Sequence, residues 1–243
     1  MGLSFNFGID GAGVEAGLDR GINYLFWTSA RTGKAMPAVK AALARDRERY
    51  VLAAGPTLGW FKGNIRRGTE KLLRKLGVDY IDVLHLFWLG VSSSLTDGNV
   101  EELFKLRDEG KVRAFGVSIH DRERAGRLAA DSPIDLFMIR YNAAHPGAEH
   151  DIFPHLEKRQ PSVVAYTATR WRKLLSPPRG WDGPVMSPGH CYRFCLTSPH
   201  VDVVLCGPKD GAQLQDNLDA LEQGPLSDDE MNWIRRFGKA VHG

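Results

Sequence analysis

Imidazole groups occur near the ends of predicted strands, where they could take part in acid–base chemistry. His85 lies within the apolar run 80–88, and His120 with Asp121 directly follows the run 112–119. Histidine is the side chain that enzymes use most often as a general acid or base. His85 has a second interpretation, as a buried core histidine that hydrogen-bonds to its neighbours.

Arginine and tryptophan residues accompany these histidines along the chain. An arginine binds a carboxylate or phosphate with two parallel hydrogen bonds, and tryptophan rings could wall a site for a flat or sugar-like ligand. The residues concerned are Arg31, Arg140, Asn142, Arg170, Trp27, Trp88 and Trp171. Together they predict a site for a small, anionic molecule. In the alternative interpretation one or two of the arginines are merely solvated, and Trp27 and Trp88 fill the upper part of the barrel.

The segment His145-Pro-Gly-Ala-Glu-His150 resembles a metal site at first sight, because it holds two histidines and a glutamate. Its spacing matches neither H-E-x-x-H nor H-x-x-E-H, and Pro146 and Gly147 interrupt a regular helix face. The sequence therefore predicts no metal site.

The bulk composition argues against several classes of protein. A formal net charge of +3 over 243 residues is too small to indicate binding to nucleic acid or to an anionic membrane. We find no run of about 18 apolar residues and no basic leader followed by an apolar core. Three cysteines, an odd number, suit a reducing compartment. We therefore expect a cytoplasmic protein.

The elements that must position these side chains alternate between strand and helix. We predict eight strands, each followed by a helix, which is the pattern and size of a (β/α)8 TIM barrel. The predicted strands are 3–8, 23–28, 50–55, 80–88, 112–119, 135–142, 162–168 and 201–207. The predicted later helices include 152–158, 191–197, 212–222 and 227–241. We expect a single α/β domain over residues 1–243, with one irregular segment, 170–189, on the active-site face after strand seven.

Several segments are similar to those of one enzyme family. The segment Gly110-Lys-Val-Arg-Ala-Phe-Gly-Val-Ser118 is the most specific, and Lys75-Leu-Gly-Val-Asp-Tyr-Ile-Asp82 matches the approach to a fourth strand. Other matches are Gly21-Ile-Asn-Tyr24, Val163-Val-Ala-Tyr166, the stretch 196–207 and the stretch 213–218. On these motifs the chain resembles the aldo-keto reductases over nearly its full length. The resemblance implies the same barrel, here beginning directly at strand one without the family's usual N-terminal hairpin.

The resemblance also implies four catalytic positions, and this chain departs from the family at all of them. The family uses an Asp, a Tyr, a Lys and a His, and the tyrosine gives a proton to the carbonyl oxygen. The matching residues here are Phe26, Arg31, Gly55 and Phe87. None is a conventional proton donor, since an arginine is effectively always charged. If only the groups are missing, restoring all four is expected to create carbonyl reductase activity.

The cofactor implied by the resemblance is NADP(H), and its matching positions are partly retained. Tyr166 stands where a tyrosine stacks on the nicotinamide, and Ser118 where a serine contacts the carboxamide. The adenosine end, with its 2′-phosphate, would meet Lys209, Gln213, Asp216 and Asn217. The family's other carboxamide-binding positions hold Ile119 and Met138, which removes two polar anchors.

We therefore expect a divergent oxidoreductase with NADP(H)-linked carbonyl or alcohol chemistry and a non-standard active site. The substitute catalytic groups are Arg31, His85 and His120, of which Arg31 could stabilise an oxyanion. One alternative is a lyase or isomerase acting on an anionic substrate. Another is a catalytically silent binding protein, a pseudoenzyme on the same barrel. In each case the partner is a small molecule, with neither nucleic acid nor membrane.

Overall fold

The computed structural model describes residues 1–27, 33–56, 64–90 and 95–242. Within these residues eight parallel strands close into a barrel, in which each strand pairs with the next and the last pairs with the first. The strands are β1 (Gly2–Ser4), β2 (Tyr24–Trp27), β3 (Val51–Ala54), β4 (Ile81–Leu89), β5 (Val112–Ile119), β6 (Leu136–Arg140), β7 (Ser162–Tyr166) and β8 (Val203–Cys206). The predicted (β/α)8 barrel is confirmed.

Helices pack around the outside of the barrel and share a core with the outward residues of the strands. They are α1 (Gly11–Asp19), α2 (Met36–Arg45), α3 (Asn64–Leu76), α4 (Asp97–Asp108), α5 (Arg122–Ala130), α6 (Ala148–Asp151), α7 (Pro188–Thr197), α8 (Gly211–Leu221) and α9 (Asp228–His242). No helix in the described ranges is long and apolar enough to cross a membrane.

The interior of the barrel is filled by alternate residues of the strands. On β2, Tyr24 and Phe26 face the interior, whereas Leu25 and Trp27 pack against the helices. Successive side chains of a strand point to opposite faces, so this alternation follows from strand geometry. The buried interior cluster consists of Tyr24, Phe26, Ala53, Val83, Phe87, Leu136, Met138 and Val164. Inward residues near the carboxyl ends of the strands therefore line the mouth where active sites of this fold lie.

Aspartates at the amino ends of three strands stabilise the opposite face of the barrel. Asp82 accepts a hydrogen bond from the backbone N–H of Leu52 at 2.8 Å. Asp135 and Asp202 accept equivalent bonds from the strands that precede their own, at 2.8 and 2.7 Å. These carboxylates tie neighbouring strands together far from the mouth, so their role is structural.

One predicted helix and one predicted helix start differ from the structure. The helix expected over 152–158 is replaced by α6 and a 3₁₀ turn, Phe153–His155. Helix α6 begins at Ala148, so Pro154 would fall in its second turn, where the missing N–H and the ring break a helix; α6 therefore ends at Asp151, and Pro154 lies at the start of the 3₁₀ turn. Helix α7 begins at Pro188, before the expected residue 191, because Ser187 and His190 form a capping box.

The last helix agrees with the prediction, and it is preceded in the chain by a largely irregular connection between β7 and α7. Between β7 and α7 the chain is irregular apart from the 3₁₀ turn Lys173–Leu175. At the start of α9 the N–H of Glu230 donates to Ser227 Oγ at 3.3 Å, and the N–H of Ser227 donates to Glu230 Oε2 at 2.8 Å. This reciprocal pair is a capping box and explains why α9 begins there.

Candidate functional site

An aromatic floor closes the barrel below its mouth. Phe26, His85 and Phe87 project inward from β2 and β4, and the ring of Phe26 lies 5.5 Å from His85 and 5.9 Å from Phe87, edge to face in both cases. The rings of His85 and Phe87 are 5.1 Å apart. Edge-to-face contacts of this kind stabilise aromatic clusters. Two of the four implied catalytic positions thus hold side chains that are packed together and carry no polar group.

His85 does not reach the mouth, which corrects its prediction as a substitute acid. Its side chain is fully buried, and neither ring nitrogen has a hydrogen-bond partner among the described residues. Burial lowers the pKa of His85 to about 3, so the ring is uncharged at neutral pH. The alternative interpretation as a core histidine is right about its burial, but the expected hydrogen bonds are missing.

Gly55, the implied lysine position, has no room for any side chain. A Cβ atom built on Gly55 would lie 1.6 Å from the backbone oxygen of His85. Strands β3 and β4 therefore approach each other more closely here than any other residue type would allow. The expectation that restoring four groups recreates the family's chemistry is wrong, because a lysine cannot be accommodated at this position without moving β3 or β4.

The remaining implied catalytic position, Arg31, lies outside the described residues. Its role in stabilising an oxyanion therefore stays a prediction.

Trp88 stands at the rim of the mouth because the end of β4 is irregular. The pairing of β4 with β5 shifts register between Leu86 and Leu89, and Trp88 has a left-handed φ of 57°. A bulge of this kind re-aims a side chain, and Trp88 is 62% exposed with its ring 5.8 Å from Phe87. Its backbone N–H donates to the hydroxyl of Ser118 at 2.7 Å. This position is consistent with the predicted aromatic wall.

A hydrogen-bonded polar pair occupies the β5–β7 side of the mouth. His120 follows β5 and Tyr166 ends β7, and the Tyr166 hydroxyl lies 3.0 and 3.1 Å from the two ring nitrogens of His120. Arg140, the last residue of β6, is the register neighbour of Tyr166. Burial, and then the charge of Arg140, lowers the pKa of His120, whereas burial raises the pKa of Tyr166. Both groups are therefore uncharged at neutral pH.

Trp27 and Asn142 do not line the mouth, which corrects their predicted contact with substrate. Trp27 is completely buried on the helix side of β2, where its ring lies 5.7 Å from Phe5. Asn142 is also fully buried, and its amide donates to the carbonyl of Thr167 at 2.9 Å. Its side-chain oxygen accepts the N–H of Ala144 at 3.1 Å. Strand alternation explains why Trp27 points away from the barrel interior. Asn142 is buried because the connection after β6 folds around its side chain.

The loop after β7 has an unusual backbone that carries an arginine and a tryptophan. Arg170, Trp171 and Arg172 have consecutive left-handed φ angles of 50°, 53° and 71°. Such a conformation costs non-glycine residues about 1–2 kcal/mol each. Trp171 is 70% exposed with its ring 6.4 Å from that of Phe7, and Arg170 donates to the carbonyl of Val241 in the last turn of α9. The loop is therefore held against α9 beside the mouth.

The residues implied for the nicotinamide end of NADP(H) fit that group. Tyr166 is half-buried at the mouth, and Ser118 is an inward residue of β5 whose hydroxyl accepts one hydrogen bond and can still donate its own proton. Met138 lies in the interior cluster, whereas Ile119 packs in the outer core and cannot face the ring. One aromatic face and one hydroxyl are therefore available.

The residues implied for the adenosine end fit less completely. Lys209, Gln213 and Asp216 are exposed at and near the start of α8, although the Gln213 side-chain oxygen accepts the backbone N–H of Lys209 at 3.0 Å. Asn217 is buried, and its amide donates to the sulfur of Cys206 at 3.3 Å. Lys209 could meet a phosphate, but Asn217 is engaged within the core.

Sequence reasoning missed three residues near the mouth: Phe7, His145 and His242. Phe7 follows β1, and its position just after a strand could have indicated that it lies near the mouth. His145 was considered only as a metal ligand, and in the described part of the chain no group of three or more His, Cys, Asp or Glu side chains could hold a metal ion. Nothing in the sequence indicates that the end of α9 returns to the mouth beside His145.

Comparison with known proteins points to one family. A sequence profile of the Aldo/keto reductase family matches residues 15–171. Methylglyoxal reductase YeaE of Escherichia coli (strain K12) is 28% identical over 162 residues, which cover 64% of this chain and 56% of that protein. Aldo-keto reductase YhdN of Bacillus subtilis (strain 168) is 25% identical, over 63% of this chain and 50% of that protein. The matches thus span about half the length of these relatives.

Solved structures share the fold. Aldo-keto reductase AKR11C1 from Bacillus halodurans, in its apo form, superposes with a TM-score of 0.80 at 23% identity, covering 99% of this chain and 92% of that one. An aldo-keto reductase from Klebsiella pneumoniae in complex with NADPH gives a TM-score of 0.77 at 22% identity, and the superposition covers 98% of this chain and 90% of that one. At these identities the likeness establishes the barrel alone. The profile match, however, spans more than half of the sequence, and on that ground the chain belongs to the aldo/keto reductase family.

Proposed function

We propose that the chain binds NADP(H) at the barrel mouth and interconverts a carbonyl compound and its alcohol, with His120 and Tyr166 in place of the usual catalytic groups. Family membership supports the oxidoreductase class, and the Klebsiella pneumoniae relative binds NADPH. The observation that carries the proposal is the 3.0 Å contact between the Tyr166 hydroxyl and the His120 ring. The two side chains form a proton-donating pair, which the positions Phe26 and Phe87 in the aromatic floor cannot provide.

The uncharged state of His120 suits it to polarise a carbonyl. A neutral imidazole donates through one ring nitrogen and accepts through the other. In the proposed site the His120 N–H donates to the carbonyl oxygen, and the Tyr166 hydroxyl donates to the other nitrogen. As charge develops on the oxygen, His120 gives it the proton of its N–H and takes the proton of the Tyr166 hydroxyl on its other nitrogen, and the Arg140 guanidinium stabilises the negative charge that this leaves on Tyr166. A bound nicotinamide would supply or accept the hydride at the carbonyl carbon.

The first test is a titration of the purified chain with NADPH, followed by the fluorescence of the nucleotide. Saturable binding at micromolar concentrations is expected, because Tyr166 and Ser118 remain available to the nicotinamide and Lys209 to a phosphate. No binding up to millimolar NADPH would contradict the proposal.

The second test is the reduction of a panel of small aldehydes and ketones by variants. His120→Gln is expected to lower turnover about 10²- to 10⁴-fold, the usual contribution of a general acid, while NADPH affinity stays unchanged. Tyr166→Phe should lower turnover less, since water can take the place of the Tyr166 hydroxyl in returning a proton to His120. His150→Gln, at an exposed histidine of α6, is the matched control. Equal turnover in His120→Gln and this control would remove His120 from the site.

A nucleotide-binding protein without turnover is the second candidate. It is favoured by the lack of space at Gly55, where a Cβ would lie 1.6 Å from the backbone oxygen of His85. No lysine side chain can fit at this position, which the resemblance implies to be the family's lysine position. Saturable NADPH binding by a folded chain that reduces no member of the panel is the result that would support this candidate over the first.

A further inference from the structure

Two histidines from distant parts of the chain meet beside the mouth. His145 lies in the connection between β6 and α6, and His242 in the last turn of α9, and their rings are 5.0 Å apart, edge to face. His145 Nδ1 lies 3.2 Å from the side-chain oxygen of Asn142. Asn142 is itself fully buried and bonded to Thr167. The buried Asn142 side chain therefore holds the His145 ring in place.

Arginines surround this histidine pair. Arg140 ends β6, and Arg170 donates to the carbonyl of Val241, the residue before His242. Arg122 lies across Gly147, where a Cβ would be 2.7 Å from the guanidinium. We define the β6 cationic sector as Arg140, His145, Arg170 and His242. Its members come from β6, the connection after it, the loop after β7 and the end of α9.

The carboxylates near the β6 cationic sector are already engaged with other groups. Asp151 pairs with Arg122 at 2.6 Å, and Glu149 pairs with Arg235 at 2.9 Å. Within the described ranges, no carboxylate forms an ion pair with Arg140, Arg170 or His242. The sector thus carries positive charge that the described residues do not compensate.

The electrostatic effect of this excess is visible at His145. Burial lowers its pKa to about 4, and the charges of Arg140, Arg170, His242 and Arg122 act in the same direction. The ring is therefore uncharged at neutral pH. An anion placed among these groups would reverse the effect of the arginines and favour protonation of the ring.

Arginines elsewhere in the described part of the chain show the contrast. Arg66 pairs with Glu102 at 2.5 Å and with Glu109 at 2.8 Å, and the buried Arg193 pairs with Glu230 at 2.9 Å. Other exposed arginines, such as Arg67, also lack an ion pair within the described ranges, so the distinguishing feature of Arg140 and Arg170 is that both act on one histidine at the catalytic end. A partly exposed cationic cluster beside a reactive centre suits a carboxylate or phosphate, which arginine binds bidentately.

We propose that the β6 cationic sector binds the carboxylate or phosphate group of the substrate, and that an imidazole takes up a proton as the anion enters. The inference deepens the proposed function and rests on it for the identity of the ligand as a substrate. Arg140 is the strand neighbour of Tyr166, so the anionic group would lie next to the His120–Tyr166 pair. The substrate class is then a small carbonyl compound that carries a negative charge.

The test compares benzoate with benzamide, its uncharged analogue, by calorimetry at pH 7 in two buffers of different ionisation enthalpy. Wild-type protein is expected to bind benzoate at least tenfold more tightly than benzamide and to take up a fraction of a proton. Arg140→Gln should weaken benzoate about tenfold or more, the size of one charged hydrogen bond, and His145→Gln should abolish proton uptake. Arg67→Gln, at an exposed arginine of α3, is the matched control and should change neither.

Three outcomes would overturn the inference: equal affinity for benzoate and benzamide, no benzoate binding at millimolar concentrations, or the same affinity in Arg140→Gln and Arg67→Gln. A fourth outcome would also overturn it, by assigning the sector to the cofactor. In that case benzoate competes with NADPH, and Arg140→Gln weakens the binding of NADPH and of benzoate by the same factor. Failure of the proposed function is separate, because it appears as absent NADPH binding while the dependence of benzoate binding on Arg140 persists.

Discussion

At Gly55 the absence of a side chain is a structural requirement. The position faces the backbone oxygen of His85 so closely that only hydrogen fits, and β3 and β4 meet there in the wall of the barrel. If Gly55 is the family's lysine position, as the resemblance implies, this chain has no space there for a lysine side chain. Catalysis by this chain, if it follows the family's reaction, has to use groups on another side of the mouth.

Gly55→Ala is expected to destabilise the protein by about 3 kcal/mol, at the upper end of the cost of overpacking a core. The added methyl would overlap the His85 carbonyl, so β3 and β4 would have to separate. Urea unfolding followed by circular dichroism measures the loss. Gly98→Ala is the matched control, because no atom lies within 4 Å of a Cβ built at Gly98. Equal stability of the two variants would show that the strands can separate at little cost.

His85 is expected to make the stability of the fold sensitive to acid. Its pKa is lowered to about 3 in the folded state by burial, below the ordinary value of 6.5. Between pH 3 and pH 6.5 the unfolded chain therefore binds more protons than the folded protein does, and acid favours unfolding. The stability that comes with an uncharged His85 is fully present above pH 6.5 and is lost as the pH falls towards 3. The slope is about 1.4 kcal/mol per pH unit for one such group.

His85→Leu removes this titration and leaves a side chain that needs no hydrogen bond. Between pH 8 and pH 5 the wild type is expected to lose about 2 kcal/mol more stability than the variant. Urea unfolding at both pH values gives the difference. Parallel pH profiles for the two proteins would mean that the unfolded and folded states protonate His85 alike.

The loop after β7 is an element whose backbone conflicts with its sequence. Three consecutive non-glycine residues, Arg170 to Arg172, have left-handed φ angles. Strained conformations of this kind persist where surrounding contacts impose them, and they cluster at functional sites. Here the contacts are the bond from Arg170 to the end of α9 and the packing of Trp171 on Phe7. The loop is therefore locally strained, and in this conformation it places a tryptophan and an arginine at the mouth.

Arg172→Gly is expected to stabilise the protein by about 1 kcal/mol, because glycine adopts the left-handed conformation without the steric cost of a Cβ. Thermal unfolding measures the change. Arg179→Gly is the matched control, an exposed arginine of the same loop that is not among the residues with positive φ. It should be neutral or destabilising, because glycine gains entropy in the unfolded chain. Equal shifts in both variants would contradict the assignment of strain.

On the scale of the whole molecule, a small net charge conceals an uneven distribution. The formal charge is only +3, yet the β6 cationic sector lies at the catalytic end without carboxylate partners among the described residues. A local field of this kind attracts anions and is screened by salt, with a Debye length of about 10 Å at 0.1 M. The catalytic end therefore carries a local positive charge that composition does not show.

Raising NaCl from low concentration to about 0.5 M is expected to weaken benzoate binding several-fold, because screening acts on exposed charges. Benzamide affinity should stay constant, since it has no net charge to screen. Calorimetric titrations at the two salt concentrations provide the comparison. Benzoate affinity that does not depend on salt would indicate binding through apolar contacts alone.

Much of the architecture could be predicted because it depends on local patterns. The eight strands follow from short apolar runs, and the start of α9 follows from the Ser227–Glu230 capping box. His85 and Phe87 were expected on one face of a strand, and they are. The helix over 152–158 was predicted wrongly, because the helix starts earlier, at Ala148, and Pro154 then falls where it ends that helix.

The sequence by itself determined the barrel and the family, since both depend on residue type and order along the chain, and it predicted the four changed catalytic positions only through the resemblance. Only the tertiary structure decided which replacements could act. It placed His85 under Phe87, closed the space at Gly55, turned Trp27 towards the helices and joined His120 to Tyr166 across β6. It also brought the end of α9 to His145. These outcomes depend on distances between segments far apart in the chain, and closure of the barrel sets those distances.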